Sequence, residues 1–231
     1  MKILYIHIPK TGGTSFENVL SNFKNTVITE NHPMYKNHIE YHQNIGNVLN
    51  FNLSRAEHFR KVLGPEFYNN VWSIAIVRNP WDRYVSNWKW LTRESCKYNN
   101  YTKTNGVVTF DTFVKESVQC YNRNTMYYDH QKWHIRNQLE HITDKSKNII
   151  VSHVGKFEDL ENEFKNLCCK AKIDAQLPYL NYDGHYSGEQ KKHEPKKIHY
   201  SQHYTQELVD IVARRCKEDI EFFKYDYEEI N

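Results

Sequence analysis

His7-Ile8-Pro9-Lys10-Thr11-Gly12-Gly13-Thr14-Ser15 is the stretch whose reading decides the fold. Before it runs Ile3-Leu4-Tyr5-Ile6, apolar throughout and read as a buried strand. After it come Phe16, Val19, Leu20 and Phe23, spaced as one face of a helix. Thr14 and Glu17 have capping-box spacing, which predicts a helix starting at Thr14 with Glu17 as a cap rather than a catalytic carboxylate. A strand, a Gly-containing turn and a helix N-terminus together form an anion site, because the first helical turn offers N–H groups and the positive end of the dipole. Gly12 and Gly13 let a ligand approach the backbone closely. Lys10 contributes a full charge, and Thr11, Thr14 and Ser15 contribute hydroxyl donors. The order of residues departs from the nucleotide P-loop, G-x-x-x-x-G-K-[ST], because here the Lys precedes the glycines.

Further along, Trp72-Ser73-Ile74-Ala75-Ile76-Val77 reads as a second buried strand, followed at once by Arg78-Asn79-Pro80-Trp81-Asp82-Arg83-Tyr84-Val85-Ser86. Pro80 blocks continuation of the strand, and a helix is expected over 82–95. Arg78 then lies at the carboxyl end of its strand, where open α/β sheets bind ligands. Ser86 follows about two helical turns later. An Arg fork and a Ser hydroxyl suit a single phosphate.

The remaining pattern predicts a short strand at 26–29, a helix over 54–63 stopped by Gly64-Pro65, and a helix over 109–118. It also predicts a buried strand over 148–153, carried by Ile149-Ile150-Val151, and helices over 158–171 and from about Thr205 to Phe223. Strands alternating with helices imply a parallel sheet covered by helices on both faces. At 231 residues, with no internal repeat and no long linker, the chain is read as a single domain over 1–231.

These motifs carry a family resemblance. Pro9 to Ser15 resembles the 5′-phosphosulfate loop of sulfotransferases that use 3′-phosphoadenosine 5′-phosphosulfate (PAPS), specifically the membrane-type carbohydrate sulfotransferases. Val77 to Ser86, V-R-N-P-W-D-R-x-V-S, resembles the same family's 3′-phosphate motif. His134-Ile135-Arg136-Asn137-Gln138 is similar to its H-x-x-x-Q segment, and Val154 to Leu160 to its V-G-x-F-E-x-L turn. Leu177 to Asn181 resembles L-P-H-L-N with Tyr179 in place of His. Asp219 to Tyr225 resembles D-I-x-x-F-G-Y with Lys224 in place of Gly.

The resemblance implies a P-loop-NTPase-like three-layer α/β fold, with a central parallel sheet flanked by helices. It implies PAPS as donor, adenosine 3′,5′-bisphosphate as product and no required metal. Lys10 is expected at the bridging oxygen or the transferring sulfuryl group, and Thr11, Gly12, Gly13, Thr14 and Ser15 at the 5′-phosphate. Arg78 and Ser86 are expected at the 3′-phosphate. The basic run from Lys191, with Lys196 and Lys197, reads from its charge either as closing over the nucleotide or as a solvated loop. A general base is expected between the phosphate motifs, with His42 first and His38 and Glu40 next, since neutral imidazole suits proton removal near neutral pH. The acceptor is expected to be a hydroxyl on a saccharide or glycan, an analogy of family rather than a site argument.

Other classes fit less well. A net charge of +3 lacks the strong basicity of a dedicated nucleic-acid binder. Five cysteines, an odd number without a C-x-x-C pair, support neither a disulfide framework nor a structural zinc. His38-x-Glu40-x-His42 could be read as a metal cluster, but its spacing is not H-E-x-x-H and no third ligand is evident. Trp81, Trp88 and Trp90 could stack on sugars, but aromatics at helical spacing are expected in the core. No signal peptide or membrane span is visible, so the expectation is a cytoplasmic or otherwise soluble enzyme, or a chain whose targeting segment lies outside this stretch. The competing functions are a P-loop-type nucleotide or small-molecule kinase, which lacks its G-K-[ST] step here, and a nucleotide-binding module without turnover.

Overall fold

The computed structural model describes residues 2–23, 27–28, 55–91, 108–122, 134–178 and 198–228. In chain order the strands are β1 (Ile3–Ile6), β2 (Val27–Ile28), β3 (Trp72–Val77) and β4 (His153–Lys156). The helices are α1 (Gly13–Leu20), α2 (Ala56–Leu63), α3 (Pro65–Asn69), α4 (Pro80–Leu91), α5 (Phe110–Asn122), α6 (Leu139–Ile142), α7 (Leu160–Ala171), α8 (Gln206–Arg215) and α9 (Lys217–Phe223). The chain divides into two compact units, one from 1–78 with 138–179 and the other from 79–137 with 180–231.

The first unit holds a four-stranded sheet in the order β2-β1-β3-β4. Every pairing is parallel, with Ile3 opposite both Val27 and Trp72, and Ile74 opposite His153. The expected parallel sheet flanked by helices is therefore present. Ile3, Tyr5, Ile74 and Ile76 pack with Phe16 and Leu20 of α1 and with Phe164 and Leu167 of α7. The alternate residues Leu4, Ile6, Ala75 and Val77 are also buried. Burial on both faces is why Ile3–Ile6 of β1 and Ile74–Val77 of β3 read as unbroken apolar runs rather than alternating ones.

The second unit has an aromatic-rich core. Trp81, Tyr84, Phe110, Phe113, Tyr200 and Leu208 form its core, with Trp88 and Trp90 packed against it. The Trp81 indole N–H donates to the Val209 carbonyl at 3.1 Å and that of Trp88 to the Val108 carbonyl at 2.8 Å. Trp90 stacks on His134 at 4.5 Å. These tryptophans serve the core, as their helical spacing implied.

Four local expectations need correction. The strand expected over 148–153 forms instead at His153–Lys156. Ile149 is 37% exposed and makes only an isolated bridge to Thr143. Among the described residues β4 lies at the sheet edge, where half-exposed residues suffice, so its sequence carries no apolar run. Gly64-Pro65 ends α2 but also starts α3, because Pro is preorganised for a first helical position. The helix expected from position 82 begins at Pro80 for the same reason, with the Asn79 carboxamide oxygen accepting from the Trp81 N–H at 3.1 Å. The long C-terminal helix is broken at Cys216 into α8 and α9.

Among the described residues no helix is long and apolar enough to cross a membrane.

Candidate active site

The sheet order places a switch point between β1 and β3. The chain leaves β1 for β2 on one side, and β3 has β4 as its neighbour on the other. The loop after β1 and the residue after β3 thus converge at the carboxyl ends of adjacent strands, where such sheets form ligand crevices. The sequence motifs at 7–15 and at 78 occupy these places.

The loop after β1 is bent sharply. Lys10 has φ 67° and Gly12 φ 84°, both in the left-handed region. Thr11 is fully buried, and its hydroxyl donates to the Ile8 carbonyl at 2.9 Å. Thr11 therefore shapes the loop with its side chain. Gly12, not Thr14, is the N-cap of α1, and no side chain caps the helix. The expected capping box is absent because the helix starts before Thr14. Gly13 and Thr14 consequently stand in the first turn, where an α-helix leaves its N–H groups without intrahelical acceptors.

Glu17 has another partner: its carboxylate lies 3.2 Å from Nδ1 of His7. The imidazole packs so tightly on Gly13 that a Cβ there would overlap the ring. This explains the second glycine by packing rather than by φ. Gly13→Ala is expected to displace His7 from Glu17 and to destabilise the protein by about 1–3 kcal/mol, the usual cost of overpacking. His7→Ala combined with Gly13→Ala should recover most of that loss, because the truncated side chain leaves room for the added methyl. Thermal melts of the single and double variants check the coupling; additive losses would refute it.

Arg78 is held from several sides. Its backbone N–H donates to Oε1 of Gln138 at 2.8 Å, and its carbonyl accepts from Nε2 of the same side chain at 2.8 Å. Its Nη1 donates to the Lys10 carbonyl at 3.1 Å. Its guanidinium carbon sits 4.0 Å from the centre of the Phe157 ring. Phe157 and Leu160 also back Gly12, where a Cβ would come within 3.3 Å and 2.9 Å of them respectively. The crevice thus combines a helix N-terminus, a Lys on a strained loop and an oriented Arg, which together can bind a multiply charged anion.

The profile of the sulfotransferase family matches residues 1–226. The chain belongs to the sulfotransferase family. Neither the curated proteins nor the solved structures contain a match to it. The family match runs through both compact units and includes both ends of the crevice.

The other residues expected at a sulfotransferase site are distributed differently. Ser86 stands on α4 in the second unit, half-buried. His38, Glu40 and His42 lie outside the described residues, as do Lys196 and Lys197. Among the described residues no cluster of His, Cys, Asp or Glu could hold a metal ion. Sequence reading left His7, Gln138 and Phe157 out of the site. Gln138 reaches Arg78 across 60 positions of chain, and no local spacing signals such a contact.

Proposed function

We propose that this sulfotransferase moves a sulfuryl group from PAPS to a hydroxyl, on a carbohydrate acceptor, in a domain of P-loop-NTPase-like architecture. The observation that carries the reading is the hydrogen bond from Arg78 to the Lys10 carbonyl. It joins two motifs that sequence resemblance assigns to the two phosphate ends of one nucleotide.

The chain's own groups fit such a donor. The N–H groups at the start of α1 suit the 5′-phosphate, and the Arg78 fork suits the 3′-phosphate, with Ser86 assigned to it by resemblance. PAPS, when bound, supplies the sulfuryl group. Lys10 neutralises the negative charge that develops on the departing phosphate. His42, or His38 or Glu40, takes the acceptor proton. Lys196 and Lys197 close over the nucleotide. The acceptor class rests on family resemblance.

Calorimetric titration of adenosine 3′,5′-bisphosphate, with ADP as control, tests the donor site. Wild type is expected to bind the bisphosphate in about the micromolar range and ADP weakly. Arg78→Ala is expected to weaken the bisphosphate about ten- to hundred-fold, the equivalent of charge-assisted hydrogen bonds lost. A folded wild type that binds no bisphosphate would overturn the PAPS reading.

A further inference from the structure

We propose that Phe157 and Gln138 are positioning residues of the donor site, which act through Arg78 to make the 3′-phosphate count in nucleotide selection. This inference rests on the donor reading above and extends it to residues that resemblance treats only as fold support.

The argument begins with what a flexible side chain must lose. Arg has high rotamer entropy, and ordering it on ligand binding weakens affinity unless the order exists beforehand. Here three separate contacts hold Arg78 before any ligand arrives. Gln138 is fully buried and contacts both the N–H and the carbonyl of Arg78, each at 2.8 Å. A carboxamide is the side chain suited to this task, because it offers one acceptor and one donor side by side. The contact fixes the backbone where the chain leaves β3.

Phe157 then fixes the side chain. Its ring lies 4.0 Å from the guanidinium carbon, close enough for a cation–π contact. The Lys10 carbonyl takes Nη1 at 3.1 Å, so the fork is constrained by a ring and by a hydrogen bond. Phe157 also supports Gly12, so one ring touches both the loop that faces the 5′ end and the Arg assigned to the 3′ end. A shift of this ring would therefore alter the spacing between the two anion-binding groups. Phe157 packs against the sheet core yet stays half-buried, so part of its ring is left for the guanidinium.

The test compares two ligands that differ only in the 3′-phosphate: adenosine 3′,5′-bisphosphate and AMP. Their affinity ratio is measured by calorimetry for wild type, Phe157→Leu, Phe157→Tyr and Gln138→Glu. Phe157→Leu keeps an apolar body against Gly12 and loses the ring face. It is expected to lower the ratio about ten-fold, with AMP affinity unchanged. Phe157→Tyr keeps the face and should restore the wild-type ratio. Gln138→Glu keeps the acceptor for the Arg78 N–H, loses the donor to its carbonyl, and should also lower the ratio.

A merely structural role would weaken both ligands alike, and that result would overturn the inference. So would a wild-type ratio in Phe157→Leu while Arg78→Ala loses it. A wild type with no preference for the bisphosphate over AMP would instead overturn the donor reading itself, and this inference with it.

Discussion

Replacing Lys10 by Gly is expected to reduce turnover about 10²–10³-fold, the typical effect of removing one preorganised charge stabiliser, without loss of stability. The stability half of this expectation comes from the backbone. Lys10 has φ 67°, in the left-handed region, where an L residue with a Cβ is disfavoured by about 1–2 kcal/mol and Gly is not. Its hydrogen bond to Arg78 uses the backbone carbonyl, which Gly also provides. In the proposed reaction the Lys10 side chain meets the charge on the leaving phosphate. Turnover with saturating donor, measured beside a thermal melt, separates the two effects. A variant that keeps more than about a tenth of wild-type turnover would remove Lys10 from the chemistry. A variant that melts well below wild type would show that the side chain also holds the loop.

Asp219→Ala is expected to destabilise the protein by about 3–5 kcal/mol, because it leaves a charged guanidinium buried without its counter-charge. Arg83 is 1% exposed and Asp219 is fully buried. Burial lowers the Arg83 pKa, and the Asp219 carboxylate opposes that shift most strongly. Arg stays protonated in proteins, so the charge cannot be shed when its partner is removed. The same guanidinium donates to the carbonyls of Arg136 and His134, each at 2.9 Å, and so ties α4 to the segment before Gln138. Cys216 adjoins this group, and burial pushes its thiol up to about 12, which makes it a packing residue rather than a nucleophile. Urea unfolding of Asp219→Ala beside wild type measures the loss. A change below about 0.5 kcal/mol, the level of an ordinary surface substitution, would show that Arg83 is compensated elsewhere.

The burial of Arg83 also separates two arginines that stand close together in one motif. In V-R-N-P-W-D-R-x-V-S the sequence reading gives a role to Arg78 alone. The structure leaves Arg78 half-buried at the crevice and buries Arg83 in a core of aromatic residues. Local pattern cannot make this distinction, since it depends on what surrounds each side chain. The same holds for the glycines of the loop. Gly12 is required by its φ of 84°, whereas Gly13 is required by the imidazole of His7 lying against it. Glu17 shows the reverse case, in which a local rule predicted a cap and a contact across the turn, with His7, took the carboxylate instead.

By itself the sequence determined the alternation of strands and helices, the parallel class of the sheet, and the two motifs on which a sulfotransferase reading depends. It could do so because β1 and β3 are buried on both faces and write continuous apolar runs, and because turn residues and helix starts are local in their physics. Only the tertiary structure decided that β1 and β3 are neighbours, that Arg78 reaches the Lys10 carbonyl, and that Gln138 and Phe157 hold it there. These are contacts between residues some 60 to 80 positions apart. They are set by strand order and side-chain packing, which no short window of sequence contains.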